Sequence, residues 1–195
     1  MKFTTTTTTT TLLLGSFTSS ALATHGFFQA PRNSSQSDTG QPEIGKQVLD
    51  KAMTAAGIPY AWGGGSCDGP SEDQPPYQYG DIGYDCSGLV CWAVCQITGR
   101  DLFTEGLRVT SDMYCASEAT LKYKKYPYEE RKAGDAVFFG AECDCADSSS
   151  IYHVGLMMDS GDRMWNAPND RVNKVQENSI AGFGDTPCPY VVRFA

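Results

Sequence analysis

Cys86 stands in the run Gly83-Tyr84-Asp85-Cys86-Ser87-Gly88-Leu89-Val90, where an irregular Gly- and Asp-rich stretch gives way to apolar residues. A cysteine is a strong nucleophile as its thiolate, and it needs a base to take and return a proton. The sequence holds two histidines, His25 and His153. His25 falls in a polar N-terminal stretch, so His153, in Tyr152-His153-Val154-Gly155-Leu156-Met157-Met158, is the base candidate. A base of this kind needs a partner for its second ring nitrogen. Asn166, the polar residue in Met164-Trp165-Asn166-Ala167, is the candidate. Each has an ordinary alternative. Cys86 can be a disulfide partner, His153 a buried structural histidine, and Asn166 the first residue of the Ala167-Pro168 turn. If all three act together, the chemistry is acyl transfer through a thiol.

The elements that position them follow from periodicity. Leu89, Val90, Ala93, Val94 and Ile97 lie i+3, i+4, i+7, i+8 and i+11 from Cys86, the spacing of one helix face. This helix should be mostly buried and end near Thr98-Gly99. Cys86 then sits in its first turn, where free N–H groups and the helix dipole favour a thiolate. Residues 152–158 read as a strand with His153, Gly155 and Met157 on one face. A turn at 159–162 returns the chain through a strand at 163–167, which brings Asn166 towards His153.

Further helices are expected at 44–56, with Ile44, Val48, Met53 and Ala56 on one side, and at 109–121, capped by Thr110 or Ser111. Further strands are expected at 136–139, 172–175 and 190–194. Residues 123–132 read as a polar charged stretch. Tyr60 and Trp62 would share a face if residues 58–62 are extended. Residues 66–80 form a long polar loop with Pro70, Pro75 and Pro76, the mark of a binding loop or an insertion. Helices first and an antiparallel meander after them give an α+β fold in one domain.

Residues 1–23 have the plan of a secretory signal, with Lys2, a short apolar core at Leu12-Leu13-Leu14, and Ala21-Leu22-Ala23 as cleavage site. Residues 24–43 read as a flexible leader carrying the sequon Asn33-Ser34-Ser35, and 44–195 as the folded domain. Removing the signal, which holds Lys2 and no acid, takes the formal charge from −8 to −9. Such an acidic chain is a poor partner for nucleic acid or anionic membrane.

Eight cysteines in an exported chain imply disulfides. If Cys86 is a nucleophile, at most three bridges form and one further thiol is left over. Cys91 and Cys95, four apart on a helix, are too distant to pair. Cys67 with Cys95, Cys91 with Cys115, and Cys188 with Cys143 or Cys145 are the pairings considered. Cys143-x-Cys145 near His153 is a weak zinc pattern. No metal and no cofactor are expected.

Three ordered motifs, Asp85-Cys86-Ser87-Gly88-Leu89-Val90, Ala133-Gly134-Asp135-Ala136-Val137-Phe138-Phe139 and His153-Val154-Gly155-Leu156, resemble the NlpC-type peptidases, which are papain-like cell-wall hydrolases. Pro59-Tyr60-Ala61-Trp62-Gly63-Gly64, Leu107-Arg108-Val109-Thr110-Ser111 and Asn166-Ala167-Pro168 match further family positions, so the resemblance spans residues 44–195. The cysteine usage is most similar to secreted fungal members.

The resemblance implies a papain-like NlpC-type fold, with the nucleophile helix packed on an antiparallel sheet. It implies an extracellular γ-D-glutamyl-L-diamino acid endopeptidase acting on bacterial peptidoglycan stem peptides, expected to work as a monomer. Cys86 would be nucleophile, His153 base, and Asn166 the third position, often histidine in the family. Tyr60 would help arrange the oxyanion region, while Asp85 and Ser87 match positions that in some members recognise the free amine of the L-Ala end. The chain departs from the family in having Arg108-Val109 where a proline-arginine pair is usual. Two other classes stay open: an N-acetylmuramoyl-L-alanine amidase on the same fold, and a non-catalytic, disulfide-stabilised binding protein.

Overall fold

The computed structural model describes residues 43–195. The expected signal, the leader, its sequon and His25 lie outside the described residues. Helix α1 spans Ile44–Met53 and ends before a left-handed Gly57 at φ +77°. Its buried face is Val48, Leu49 and Ala52, continued by Ala55, while Ile44 and Met53 are exposed. The helix is therefore shorter than expected, and its apolar stripe lies beside the expected one.

Helix α2, Cys86–Thr98, starts at the expected nucleophile candidate. Asp85 caps it: the Gly88 N–H donates to Asp85 Oδ1 at 2.6 Å, which satisfies a free first-turn donor. Gly99, at φ +70°, closes it. All ten residues from Cys86 to Cys95 are buried, because α2 packs against α1 on one side and the sheet on the other. A helix buried this way needs no polar stripe, which is why its apolar face looked wide in the sequence.

The expected helix at 109–121 is two short ones, α3 (Thr110–Cys115) and α4 (Glu118–Leu121). The break falls at Ala116-Ser117. Ser117 caps α4 by accepting the Thr120 N–H, whereas Val109 precedes α3 without a side-chain cap. Thr110 is buried instead of capping.

A small antiparallel pair, β1 (Ser71–Glu72) and β2 (Ile82–Gly83), brackets the polar loop. The main sheet comprises β3 (Lys124–Pro127), β4 (Ala136–Gly140), β5 (Ile151–Met157), β6 (Arg163–Asn166), β7 (Gln176–Ser179) and β8 (Tyr190–Arg193), in the antiparallel order β3-β8-β4-β5-β6-β7. Two strands depart from expectation. Residues 124–127 form an edge strand against β8, although their composition reads as surface. The strand expected at 172–175 lies instead at 176–179, where Trp165 pairs with Glu177 and Asn166 with Gln176.

The sheet is buried on both faces. Phe138, Val154 and Leu156 pack with the helices, and Val137, Phe139, Met157 and Val191 form a second apolar cluster behind. Alternation in β4 sends its residues to the two clusters in turn. Arg193 Nη2 and Nε donate to the two carboxylate oxygens of Asp135 at 2.7 and 2.9 Å, tying β8 to the start of β4.

Disulfides join Cys67 to Cys95, Cys115 to Cys145 and Cys143 to Cys188. The expected Cys91–Cys115 pairing is corrected: Cys91 is a free buried thiol that donates to the Leu107 carbonyl at 3.6 Å. Both sulfurs of Cys143-x-Cys145 are spent in bridges to distant partners. The other free thiol is Cys86.

Candidate active site

Cys86 and His153 line one cleft of about 520 Å³, together with Tyr60, Trp62, Asn169 and Phe183. Cys86 is presented by the first turn of α2. That turn is pressed against residues 63–65: a Cβ on Gly88 would stand 2.1 Å from the Gly64 carbonyl oxygen, so only glycine fits there. The Cys86 sulfur lies 3.6 Å from the Thr110 hydroxyl and 3.9 Å from the Tyr152 carbonyl, to which it donates.

His153 comes from β5. Its Nε2 is 3.1 Å from Asn166 Oδ1, across the expected hairpin. The Asn166 amide nitrogen donates to Asn178 Oδ1 at 3.0 Å and the Gln176 carbonyl at 3.4 Å, both on β7. Those acceptors settle which way the amide points, so its oxygen faces the ring. Nε2 therefore carries the proton, and Nδ1 is left as the basic nitrogen. Gly155 makes room for this arrangement: a Cβ there would crowd the Met164 sulfur at 2.9 Å and the Asn166 Cβ at 3.2 Å. The Trp165 carbonyl oxygen, 3.3 Å from the same point, completes a wall made by β6. Phe183 stacks on the imidazole, with ring centroids 4.4 Å apart and planes 25° apart.

Burial governs the electrostatics. It pushes the His153 pKa down to about 4, against a weaker opposing pull from Asn166 and Asp185. It pushes the Cys86 thiol up, and the Asp85 charge adds to this, while the Thr110 hydroxyl and the backbone N–H groups of Ser87 and Val154 oppose it. The resting pair is thus a neutral thiol and a neutral imidazole. The helix N-terminus favours a thiolate, and the burial of Cys86 works against it. Tyr60 is raised chiefly by burial, with the Asp85 and Asp170 charges adding to it, so its phenol stays a proton donor.

Asp85 and Ser87, expected to meet a substrate amine, are engaged elsewhere. Arg108 Nη1 and Nη2 donate to Asp85 Oδ1 and Oδ2 at 2.9 and 3.0 Å, and Gly63 N–H donates to Oδ2 at 3.0 Å. Arg108 Nη1 also donates to Ser87 Oγ at 2.8 Å, and Nη2 to the Gly64 carbonyl at 2.9 Å. With a cap, a guanidinium and a backbone amide on one carboxylate, Asp85 has no capacity directed at the cleft, and Ser87 is buried. In this structure they form the support behind Cys86.

Residues matching the NlpC/P60 family run from 57 to 184 and contain both Cys86 and His153. The chain belongs to the NlpC/P60 family. It is 30% identical over 152 residues to the peptidoglycan endopeptidase RipA of Mycobacterium tuberculosis, an alignment covering 78% of this chain and 27% of RipA. The solved structure of RipB, a peptidoglycan hydrolase of the same organism, is 30% identical, covers 77% of this chain and 64% of that one, and superposes with a TM-score of 0.57. RipD of M. tuberculosis, described as a non-catalytic NlpC/p60 protein with a peptidoglycan-binding function, shares the fold at a TM-score of 0.59, with 24% identity and coverage of 80% of this chain and 100% of RipD.

Sequence reasoning missed three contributors. Thr110 was placed as a cap, although it faces the sulfur. Arg108 was noted as a departure from the family pattern, yet it holds Asp85. Phe183, in a loop after β7, carried no signal in the sequence at all.

Proposed function

We propose that this chain is a secreted cysteine endopeptidase that hydrolyses bacterial peptidoglycan stem peptides at the γ-D-glutamyl–L-diamino acid bond. The observation that carries the reading is the reactive pair itself: a free thiol and an Asn166-oriented imidazole in one cleft, within a family whose named relatives include peptidoglycan endopeptidases. The fold alone would not carry it, since RipD has the fold and is described as non-catalytic. Secretion rests on the signal plan of residues 1–23.

In the proposed reaction, His153 Nδ1 takes the Cys86 proton as the sulfur attacks the γ-carbonyl carbon of D-glutamate. Charge develops on the carbonyl oxygen, and the donors assigned to it are the Cys86 backbone N–H and the protonated Tyr60 phenol on the cleft wall. The imidazolium, held by Asn166, then protonates the departing amine of the diamino acid. A thioester remains. Water, deprotonated by the same imidazole, hydrolyses it and releases the γ-carboxylate and the free thiol. Starting from a neutral pair, the site separates charge only during attack.

The test is a mass-spectrometric digest of defined muropeptides with the mature protein, beside Cys86→Ala. Cleavage between D-Glu and the diamino acid, lost in the variant, is expected. Cleavage at the lactyl–L-Ala amide would make it an amidase with the same thiol chemistry. Equal turnover by both proteins would overturn the mechanism, and no turnover with an alkylation-resistant Cys86 would leave a binding protein.

A further inference from the structure

Next to the cleft lies a second cavity of about 320 Å³, and the two share Tyr60, Trp62 and Asn169. Its outer wall is the polar loop that stood out in the sequence as too long for a simple connection. Trp62, Tyr77 and Tyr79 are all large exposed aromatics, 45%, 48% and 72% accessible, and Trp62 meets Tyr77 edge-on at 5.1 Å. A single exposed ring is ordinary; three around one concavity form a surface that gains by being covered.

The wall is firmly built. Cys67 is bonded to Cys95 on α2, Gln96 Nε2 donates to the Cys67 carbonyl at 2.7 Å, and β1 pairs with β2 across the loop's base. Asp73 is buried and its carboxylate accepts the N–H groups of Tyr79, Gly80 and Asp81. It thereby fixes the residues that carry the rings.

The cavity's charge is one-sided. Asp73, Asp81 and Asp170 line it, and no Lys or Arg does. Among the described residues none of these three carboxylates is in an ion pair, in contrast to Asp85 nearby. The Asp170 charge also bears on the cleft, since it is among those that raise Tyr60. Aromatic faces and uncompensated carboxylates attract the same kind of group. A cation gains from both, an anion is repelled by both, and a neutral ring gains nothing from the charge.

We propose that this cavity is a subsite for a primary ammonium group of the peptide substrate, held by the Asp81 and Asp170 carboxylates against Trp62, Tyr77 and Tyr79. This deepens the hydrolase reading and rests on it for the word substrate. It also gives a positive role to the loop, and it moves amine recognition away from Asp85 and Ser87, whose hydrogen bonds are taken by Arg108.

The test titrates Cys86→Ala protein calorimetrically with L-Ala-γ-D-Glu-L-Lys and with the same tripeptide acetylated at the alanine amine, at the lysine side chain, or at both. One of the single acetylations is expected to weaken binding about tenfold or more, and which one identifies the end that enters the cavity. The Asp81→Asn/Asp170→Asn form of the same protein should bind all four peptides alike. Equal affinity of the unaltered cavity for all four would overturn the subsite, as would an amine preference that survives the double substitution. Hydrolysis by Cys86 protein is measured alongside. Amine-dependent binding without hydrolysis would retain the cavity's role and remove the hydrolase reading. Hydrolysis without amine dependence would do the reverse, and no binding of any peptide together with no hydrolysis would remove both.

Discussion

On the α2 side of the cleft, Asp85, Ser87, Arg108 and the 63–64 backbone surround the turn that carries Cys86 with an ion pair and the hydrogen bonds around it. On the sheet side, His153 and Asn166 sit under Phe183 and Phe139 with neutral hydrogen bonds and no ion pair. The two walls solve different problems. The helix wall must hold a close approach of backbone to backbone, and a bidentate guanidinium–carboxylate pair does that with directional bonds. In the proposed mechanism the sheet wall must keep an imidazole neutral so that it can accept a proton, and a carboxylate against the ring would work against that. Asparagine orients the ring without adding charge.

The contrast predicts the largest effect at Arg108. In Arg108→Ala the largely buried Asp85 carboxylate loses its counter-ion, and Ser87 and the Gly64 carbonyl lose a donor. Stability should fall by about 3 kcal/mol and activity should collapse with it. Lysine at 108 should recover part of the stability, because it restores charge without the fork. A thermal melt beside the muropeptide assay checks both, and an Arg108→Ala protein as stable and active as the parent would remove the distinction between the walls.

The sheet wall predicts a pH effect of similar size. His153 is held at about 4 against an ordinary value near 6.5, so the unfolded chain binds its proton more readily. The stability that comes from burying a neutral ring is fully present above pH 6.5 and is lost as pH falls towards 4. Its full extent is about 3 kcal/mol. Carboxylates also titrate in this range, so the quantity to measure is the difference in unfolding free energy between the parent and His153→Gln across pH 4 to 7. A flat difference would mean that the ring is not desolvated as the structure has it.

At Asn166 the loss should be smaller. Asn166→Ala removes one orienting hydrogen bond, worth about 1 kcal/mol or roughly a fivefold to tenfold drop in kcat, with Cys86 still reactive. Asn166→Asp should raise the His153 pKa and move the acid limb of the rate profile to higher pH. If Asn166→Ala destabilised the protein more than Arg108→Ala, the assignment of charge to one wall and burial to the other would be reversed.

How far the sequence revealed these walls follows from their physics. Periodicity placed α2, β5 and β6 because each is long enough, or apolar enough, to show its repeat, and ordered motifs tied Cys86, His153 and Asn166 together. Strand β3 was invisible: Lys124 and Lys125 lie on an edge where one side faces water, and edge strands carry little apolar signal. The split of α3 from α4 was equally hidden, since Ser117 favours a cap but a single serine costs too little inside a helix to mark a break by itself. The bonding of Asp85 and Ser87 was hidden for a reason of a different kind. Their motif marks their position beside the nucleophile, whereas what they bond to depends on Arg108, more than twenty residues away in the chain.

Phe183 tests the finest part of the contrast. Its ring covers one face of the imidazole, and it lies between Gly182 and a left-handed Gly184 in a loop that is pinned where the Ala181 N–H donates to Asp162 at 2.8 Å. Truncating it should leave the loop in place and open His153 to water, so the His153 pKa should rise towards its ordinary value. The charged group that then bears on the ring is Asp185, which favours the same direction. A base must be unprotonated to act, so the acid limb of kcat/KM should move up by up to about one pH unit in Phe183→Ala, with a modest loss at the optimum. Phe183→Leu, which keeps the face dry, should move it less. NMR titration of the imidazole, with His153→Gln to assign its signal, reads the same shift without turnover. An unmoved limb with lowered activity at every pH would mean that Phe183 shapes the cleft for substrate, and that the desolvation of His153 comes from the sheet alone.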